Sequence, residues 1–177
     1  FPSPIQTYPT ILHESGASLQ VREGYLWVIE PRYGVYVYEL IRSQRPRLVS
    51  QYTMEKTGTE NTRETIKDFT FFGKYLYLAI GDSGLIPSEK NRIEILTIGT
   101  DLSMTHAGEI FCDYPTLVEA YHQALWVGGM GEVTAEGILS IYDLSNPISP
   151  EIVDEDYFDF IPTNMKLLEN PDSMLVL

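Results

Sequence analysis

Apolar and polar residues alternate along most of this chain, in short runs separated by turns rich in Gly, Pro, Asn and Asp. Alternation with a period of two is typical of half-buried β-strands, because successive side chains of a strand point to opposite faces. One apolar string recurs in related forms, YLWV, YLYL, ALWV and SMLV, at residues 25–28, 75–78, 124–127 and 173–176. Its intervals are 50, 49 and 49 residues. No sustained 3.6-residue apolar period competes with it, so the pattern predicts repeated strand units.

A fixed interval of this length, built from strands, is the signature of β-propeller blades, because one unit cannot bury its apolar faces alone. We therefore expect a single all-β array of four-stranded antiparallel blades, with about 49 residues per repeat. The expected boundaries are the end of a preceding blade at 1–17, three blades at 18–66, 67–113 and 114–162, and the start of a next blade at 163–177.

The number of repeats bears on how the array is completed. A propeller ring needs roughly four to eight blades. We therefore expect this chain to belong to a larger ring, closed by the remainder of the same polypeptide or by a protein partner. Unpaired edge strands at the two ends of the array would invite such pairing.

The most specific motif of the chain is GILSIYDLSNPISP at residues 137–150. A glycine opens an alternating strand, Tyr-Asp-Leu-Ser follows it, and two prolines precede the next strand. The motif resembles the blade signature of LVIVD-repeat propellers. Residues 34–40 and 46–49 keep part of it, whereas residues 92–98 lack the Tyr-Asp pair and the prolines. The second repeat therefore leaves a more generic propeller, with WD40-like or prolyl-peptidase-like blades, as the alternative.

The resemblance to LVIVD-repeat propellers implies more about location than about activity, because such repeats are known mainly from cell-surface and secreted proteins. An extracellular or cell-envelope location is the expectation, and a cytoplasmic one stays open. Cys112 is the single cysteine, so the chain forms no internal disulfide and no cysteine-based zinc site.

The charge balance narrows the classes of partner. The chain carries 25 acidic residues against 12 Lys and Arg, for a net charge of -13. Such a charge repels phosphate backbones and anionic lipid surfaces. The basic residues are scattered and are not interleaved with aromatic residues, as stacking on nucleic-acid bases requires. No apolar run reaches the length of a membrane span. We therefore expect neither nucleic-acid binding nor membrane insertion.

The candidate functional residues lie on loops that open at one end of the predicted blades. These binding-face candidates are Glu30, Arg32, Tyr33, Asp82, Glu132 and Glu136. The inter-blade loops add Glu55, Glu60, Arg63, Glu64, Glu155, Asp156 and Asp159. In a closed ring, Glu30, Asp82 and Glu132 would approach the axis from successive blades.

Converging carboxylates have three interpretations. Oxygen ligands suit Ca²⁺, for which Asp82 and Glu132 are the candidates, and no other cofactor is expected. Two carboxyl groups about 5 to 10 Å apart could instead act as the acid and base of a glycosidase. A solvated acidic rim needs no ligand.

Other chemistry-bearing residues fit structural roles better. The GDSG string at 81–84 resembles the nucleophile segment of serine proteases, yet it falls where the repeat requires a turn, and His13 has no orienting Asp. Asp143 and Glu39 lie at strand ends, where carboxylates cap turn amides. Cys112 is expected to be a small buried residue without a nucleophilic role.

Three function classes follow. We expect a non-catalytic binding or assembly module, which contacts a protein partner through its acidic loop face and has no turnover. A propeller hydrolase acting on glycans or peptides is the alternative, and two carboxylates close together, one with a raised pKa in a cleft, would distinguish it. The third class is a structural component of a surface layer or filament, in which exposed edge strands pair with another copy.

Overall fold

The structure is a computed structural model that describes residues 18–42, 44–54, 64–82, 91–131, 136–162, 165–167 and 174–176. These ranges contain strands, turns and bends and no helix. The strands are β1 (Ser18–Arg22), β2 (Tyr25–Glu30), β3 (Gly34–Glu39), β4 (Arg47–Thr53), β5 (Glu64–Phe72), β6 (Tyr75–Asp82), β7 (Arg92–Ile98), β8 (Met104–Phe111), β9 (Tyr114–Tyr121), β10 (Ala124–Met130), β11 (Gly137–Asp143), β12 (Glu151–Phe158), β13 (Met165–Leu167) and β14 (Met174–Val176).

The strands form three sheets of four consecutive antiparallel strands, which we call blades 1, 2 and 3, and a hairpin of β13 and β14. Blade 1 contains β1 to β4, blade 2 contains β5 to β8, and blade 3 contains β9 to β12. The repeated apolar string is the second strand of each blade. The predicted fold class is confirmed, because the chain is all-β and its four-stranded, blade-like sheets follow the sequence repeat.

The register repeats as well as the strand order. In every blade the pairing of the third and fourth strands shifts once, between Val37 and Tyr38, between Ile95 and Leu96, and between Ile141 and Tyr142. Such a bulge increases the local twist of a strand. All three outer strands are therefore bent at the same point of the repeat.

Blade 2 is buried on both faces, since its side chains alternate between two cores. Leu76, Leu78 and Ile80 pack in a core with residues of blade 1 such as Trp27. Tyr77 and Ala79 pack in the other core with blade 3. Residues 76–80 are all 0% exposed, which only a strand covered on both sides achieves. Each large side chain buried in this way contributes about 1.5 to 3 kcal/mol.

Hydrogen bonds join neighbouring blades at both of their ends. At the upper end, where β2 turns into β3, the Ile66 N–H donates to the carbonyl of Pro31 at 2.7 Å. The lower end is the one that carries the β1–β2 turn and its equivalents in the other blades. There the Tyr77 hydroxyl of blade 2 donates to the carbonyl of Pro147 of blade 3 at 2.8 Å. The blades therefore keep a fixed orientation, which positions the groups at their ends.

The connections between third and fourth strands are capped by short polar motifs. Asp143 accepts hydrogen bonds from the Ser145 N–H and hydroxyl, both at 2.9 Å, as predicted for a turn cap. Glu39 does not follow that prediction, because Arg47 across the β3–β4 pair donates to it at 3.1 Å. Opposite charges that face each other across an antiparallel strand pair attract, so Glu39 forms an ion pair with Arg47.

Steric crowding explains why a glycine opens the repeat motif. Gly34 and Gly137 begin the third strands of blades 1 and 3. A Cβ on Gly34 would lie 1.9 Å from the carbonyl oxygen of Tyr52, and one on Gly137 would lie 1.8 Å from that of Phe160. Both contacts are with backbone, so a side chain there would push the following segment away.

This close approach predicts the cost of a methyl group at Gly34. Gly34→Ala should destabilise the protein by about 3 kcal/mol or more, because both a backbone clash and a positive φ oppose it. Gly24→Ala is the matched control, since Gly24 also has a positive φ, +84°, but nothing lies within 4 Å of its Cβ position. We expect it to cost only about 1 kcal/mol. Chemical denaturation of both variants measures the difference, and equal losses would contradict the steric account.

Candidate functional site

A groove of about 440 Å³ opens between the outer parts of blades 2 and 3. We call it the blade 2–3 groove. Its lining includes Phe111, Cys112, Ile138, Tyr142, Ile152 and Glu155. Its walls combine apolar side chains with polar groups, and ligand sites likewise combine an apolar surface with polar groups that fix orientation.

The register of blade 3 explains why the groove is there. Ser140 lies opposite Glu155 and Tyr142 lies opposite Ile152, so these four side chains share the face turned toward blade 2. Near the middle of the sheet this face is buried against Tyr77 and Ala79 of blade 2. Toward the outer strand, blade 2 no longer covers it, and the uncovered part is the groove.

One carboxylate organises the polar part of the groove. Glu155 accepts hydrogen bonds from the Ser140 hydroxyl at 3.1 Å and from the Tyr157 hydroxyl. The hydrogen bond and the charge of Glu155 raise the pKa of Tyr157, and the charges of Asp113 and Glu136 raise it further. The charges of three carboxylates therefore act on one phenol, and we call these three residues the acidic rim.

Strand β12 forms the outer margin of the groove and is itself exposed. Seven of its eight residues are exposed, so neither face of this strand is covered along most of its length. β12 lies at the end of its sheet, where β11 is its one neighbour among the described strands. An exposed strand at a sheet edge offers backbone N–H and C=O groups to another strand.

Of the six predicted binding-face residues, one belongs to this rim. Glu136 is exposed and acts on Tyr157, as described above. Arg32 and Tyr33 are exposed on the turn between β2 and β3, at a different blade. Asp82 ends β6, and its backbone N–H donates to Asn91 at 3.0 Å. Glu132 lies outside the described residues.

Glu30 differs most from the expectation, because it is 5% exposed. Strand alternation places it on the face of blade 1 turned away from blade 2, together with Tyr36. Burial raises the pKa of Tyr36, and the charge of Glu30 adds to the effect. Among the described residues, no donor contacts Glu30 Oε1. Glu30 is therefore a buried residue and not part of an exposed loop face.

The predicted calcium site stays a prediction. Within the ranges that the structure describes, no three His, Cys, Asp or Glu side chains are arranged to hold a metal ion. One of the two proposed ligands, Glu132, falls outside those ranges.

A largely buried ionic cluster between blades 1 and 2 was not predicted from the sequence. The guanidinium of Arg92 lies 3.2 Å from Glu64, 3.5 Å from Glu94 and 3.8 Å from Glu109. The Tyr52 hydroxyl of blade 1 donates to Glu94. One signal could have found this cluster, namely the acid Glu94 inside the otherwise apolar strand RIEILTI. A buried acid needs such partners, so the cluster holds the outer strand of blade 1 against blade 2.

Two further carboxylates lie on the first strands of blades 2 and 3. Asp68 accepts the Val118 N–H at 3.0 Å, and the Thr70 hydroxyl oxygen accepts the Ala120 N–H at 3.2 Å. Burial raises the pKa of Asp68, and its amide hydrogen bonds oppose the rise. Burial also raises the pKa of Glu119, and the charge of Asp68 adds to it. Asp68 therefore joins two blades, and neither acid lines the blade 2–3 groove.

Comparisons with known proteins add no assignment of function. No family model and no curated protein matches the chain. Among solved structures, the chain is similar to the computationally designed Ika8 protein, with a TM-score of 0.47 and 8% identity over 87% of this chain and 53% of that one. The chain thus spans about half the length of that protein. No helix in the described ranges is long and apolar enough to cross a membrane.

The environment of Cys112 predicts low thiol reactivity. Burial raises the pKa of Cys112 to about 12, with a contribution from the charge of Asp113. Since the thiolate is the reactive form, labelling by iodoacetamide at pH 8 should be about a thousandfold slower than for an ordinary cysteine. Labelling followed by mass spectrometry, with the denatured protein as control, measures this ratio. Equal rates in the two states would show that Cys112 ionises freely.

The raised pKa of Glu119 predicts a stability change that depends on pH. At neutral pH the unfolded state carries an ionised Glu119 in water, whereas the folded state must bury the charge, so stability falls as pH rises through the folded pKa. Glu119→Gln should therefore raise the melting temperature at pH 7 and have no effect below the ordinary pKa of 4.5. Glu151→Gln, on the exposed strand β12, controls for the loss of one negative charge. A gain of the same size at both pH values would contradict this account.

Proposed function

We propose that this chain is a non-catalytic β-propeller binding module of the LVIVD-repeat type. Its partner is an extended, basic segment of another protein, which docks along β12 and places an apolar side chain in the blade 2–3 groove. The observation that carries the proposal is the juxtaposition of an exposed, acidic edge strand with a groove that is lined in part by the apolar side chains of Phe111, Ile138 and Ile152.

Large apolar side chains are exposed on both sides of the groove. Phe111 of β8 is 65% exposed, and Ile152, Val153 and Tyr157 of β12 are 53%, 62% and 61% exposed. Single exposed apolar residues are ordinary, but Phe111 and Ile152 line the same groove, and exposed apolar residues gathered at one place mark an interaction surface. Their position beside a groove favours a partner that fills it.

The charges of β12 favour a basic partner. Glu151 begins this strand, and the consecutive carboxylates Asp154, Glu155 and Asp156 follow its apolar pair. Two copies that paired along β12 would bring these carboxylates together, and like charges at an edge oppose such pairing. A basic segment meets no such repulsion and gains electrostatic complementarity. The charges therefore argue against a filament built through this edge.

Strand addition supplies the mode of binding. An extended segment beside β12 would form backbone hydrogen bonds, while pockets for alternate side chains give specificity. The blade 2–3 groove is such a pocket, and Glu155 within it is held by Ser140 and Tyr157. A lysine or arginine of the partner beside Glu155 would pair with a carboxylate whose position is already fixed.

The LVIVD-type assignment rests on the motif of blade 3 and on its steric logic. The opening glycine of that motif meets the same backbone approach in blades 1 and 3, and Asp143 caps the turn that follows β11. On this proposal the ring is completed by the remainder of the polypeptide or by a partner, and the protein works outside the cell or at the cell envelope.

A model peptide tests the proposal. The probe is a fluorescein-labelled hexapeptide of alternating Lys and Val, and its binding is followed by fluorescence polarisation at low salt. Asp156→Lys should weaken binding about tenfold, because reversal replaces an attraction with a repulsion. Glu23→Lys makes the same change in net charge at an exposed turn of blade 1 and should leave the affinity unchanged.

Hydrogen exchange locates the bound peptide. The amides of β12 should gain protection when the peptide binds, because an added strand covers their free edge. An equal loss of affinity in both charge variants, or protection elsewhere than on β12, would overturn the proposed docking site.

A further inference from the structure

A second concave site lies between the lower ends of blades 1 and 2. It encloses about 390 Å³, and we call it the lower pocket. Its lining includes Arg22, Tyr25, Trp27, Lys74, Ile98 and Leu102. None of these residues belongs to the blade 2–3 groove or to the predicted loop face.

The positive charges of the lower pocket come from two equivalent hairpins, β1–β2 of blade 1 and β5–β6 of blade 2. The β1–β2 turn contains Glu23 and Gly24, and the β5–β6 turn contains Gly73, all with positive φ. These tight turns place Arg22 at the tip of one hairpin and Lys74 at the tip of the other. Packing of blade 1 on blade 2 then brings the two cations to the same cavity.

The guanidinium of Arg22 is held in place before any ligand arrives. Its Nη2 donates to the carbonyl of Gly73 at 2.9 Å, and its Nε donates to Glu23 at 3.4 Å. Its centre lies 4.8 Å from the centroid of the Phe71 ring. These contacts use two of the five N–H donors of an arginine. A fixed guanidinium loses little freedom when an anion binds, so such a site is pre-organised.

Lys74 supplies a second positive charge. Its ammonium group lies 5.5 Å from the centroid of the Tyr75 ring. No carboxylate of the described residues forms an ion pair with it. With Glu23 counted against the two cations, the lower pocket is locally positive in a chain whose net charge is -13. Cations gathered at one cavity of an acidic protein are an electrostatic signature of anion recognition.

The floor of the lower pocket is apolar. Trp27 is 3% exposed and packs in the core below, while Tyr25, Ile98 and Leu102 are partly buried against the same core. Cations at the rim and apolar side chains at the floor suit a ligand with an anionic group and an apolar body. The overall negative charge of the chain disfavours multiply charged anions, so a monoanion fits best.

We propose that the lower pocket binds a small organic carboxylate, whose anion lies between Arg22 and Lys74 and whose apolar body lies on Tyr25, Ile98 and Leu102. This site is independent of partner docking at β12, because it lies between a different pair of blades.

Benzoate is the probe, and NMR spectroscopy is the measurement. The chain has two tryptophans, and only Trp27 lines the lower pocket. Titration with benzoate should shift the indole N–H signal of Trp27 and leave that of Trp126 in place. Benzamide, a neutral molecule of the same shape, should bind at least about tenfold more weakly, because it lacks the charge that strengthens the hydrogen bonds.

A pair of lysine variants tests the role of charge. Lys74→Gln should weaken benzoate binding about tenfold. Lys67→Gln is the matched control, since the Lys67 ammonium group also lies over a tyrosine ring, 5.4 Å from the centroid of Tyr114, away from the lower pocket. It should bind benzoate like the parent protein.

Three results would overturn the proposal. The first is the absence of saturable shifts at Trp27 with millimolar benzoate. The second is equal affinity for benzoate in Lys74→Gln and the parent protein, or equal affinity of the parent protein for benzoate and benzamide. The third is tighter binding of inorganic phosphate than of benzoate, which would show that the apolar floor plays no part.

Discussion

Burial of blade 2 on both faces is the constraint on which the rest of the structure depends. A strand such as β6, with residues 76–80 fully covered, is stable only while blades 1 and 3 lie against it. The hydrophobic effect that holds the blades is not directional, so direction comes from hydrogen bonds at their ends, such as Ile66 to Pro31 and Tyr77 to Pro147. Both concave sites follow from this stacking. The lower pocket lies where blades 1 and 2 separate, and the blade 2–3 groove lies where blades 2 and 3 separate.

The sequence predicted the architecture well because the repeat is carried by local features. Leu26, Leu76 and Leu125 all lie in second strands, and every second strand pairs with the first and third strands of its blade. The second repeat, which lacks the Tyr-Asp pair and the prolines, keeps one structural feature of the motif. Blade 2 has its own turn cap, in which Asp101 accepts the Ser103 N–H at 3.0 Å, as Asp143 does with Ser145. The motif lies three residues beyond the end of β7 and not at the strand end, so an alignment on the strands does not find it.

The polar residues were harder to place, because their surroundings come from other blades. Glu30 was predicted on an exposed face and is buried, since strand alternation and not loop position determines where its side chain points. Besides Arg92 on its own strand, Glu94 contacts Tyr52, which lies 42 residues away on another blade. No local pattern encodes such a contact. The proximity of Asp68 and Glu119, whose charges interact, could likewise not be predicted from the sequence. Repeats fix which elements are adjacent, but not which individual polar groups meet.

The distribution of acids now separates two uses of negative charge. The partly buried Asp68 and the buried Glu94 accept hydrogen bonds from a neighbouring blade, so each offsets part of its desolvation cost by joining two sheets, which the buried Glu30 does not do through Oε1. Those on β12 stay in water and cost little to hold. We propose that they provide specificity, because an edge strand with the exposed apolar residues Val153 and Tyr157 invites pairing with other extended chains, including a copy of itself. In the proposed docking mode, acidic side chains exclude like-charged strands and accept basic ones, so the same residues would protect this edge and select its partner.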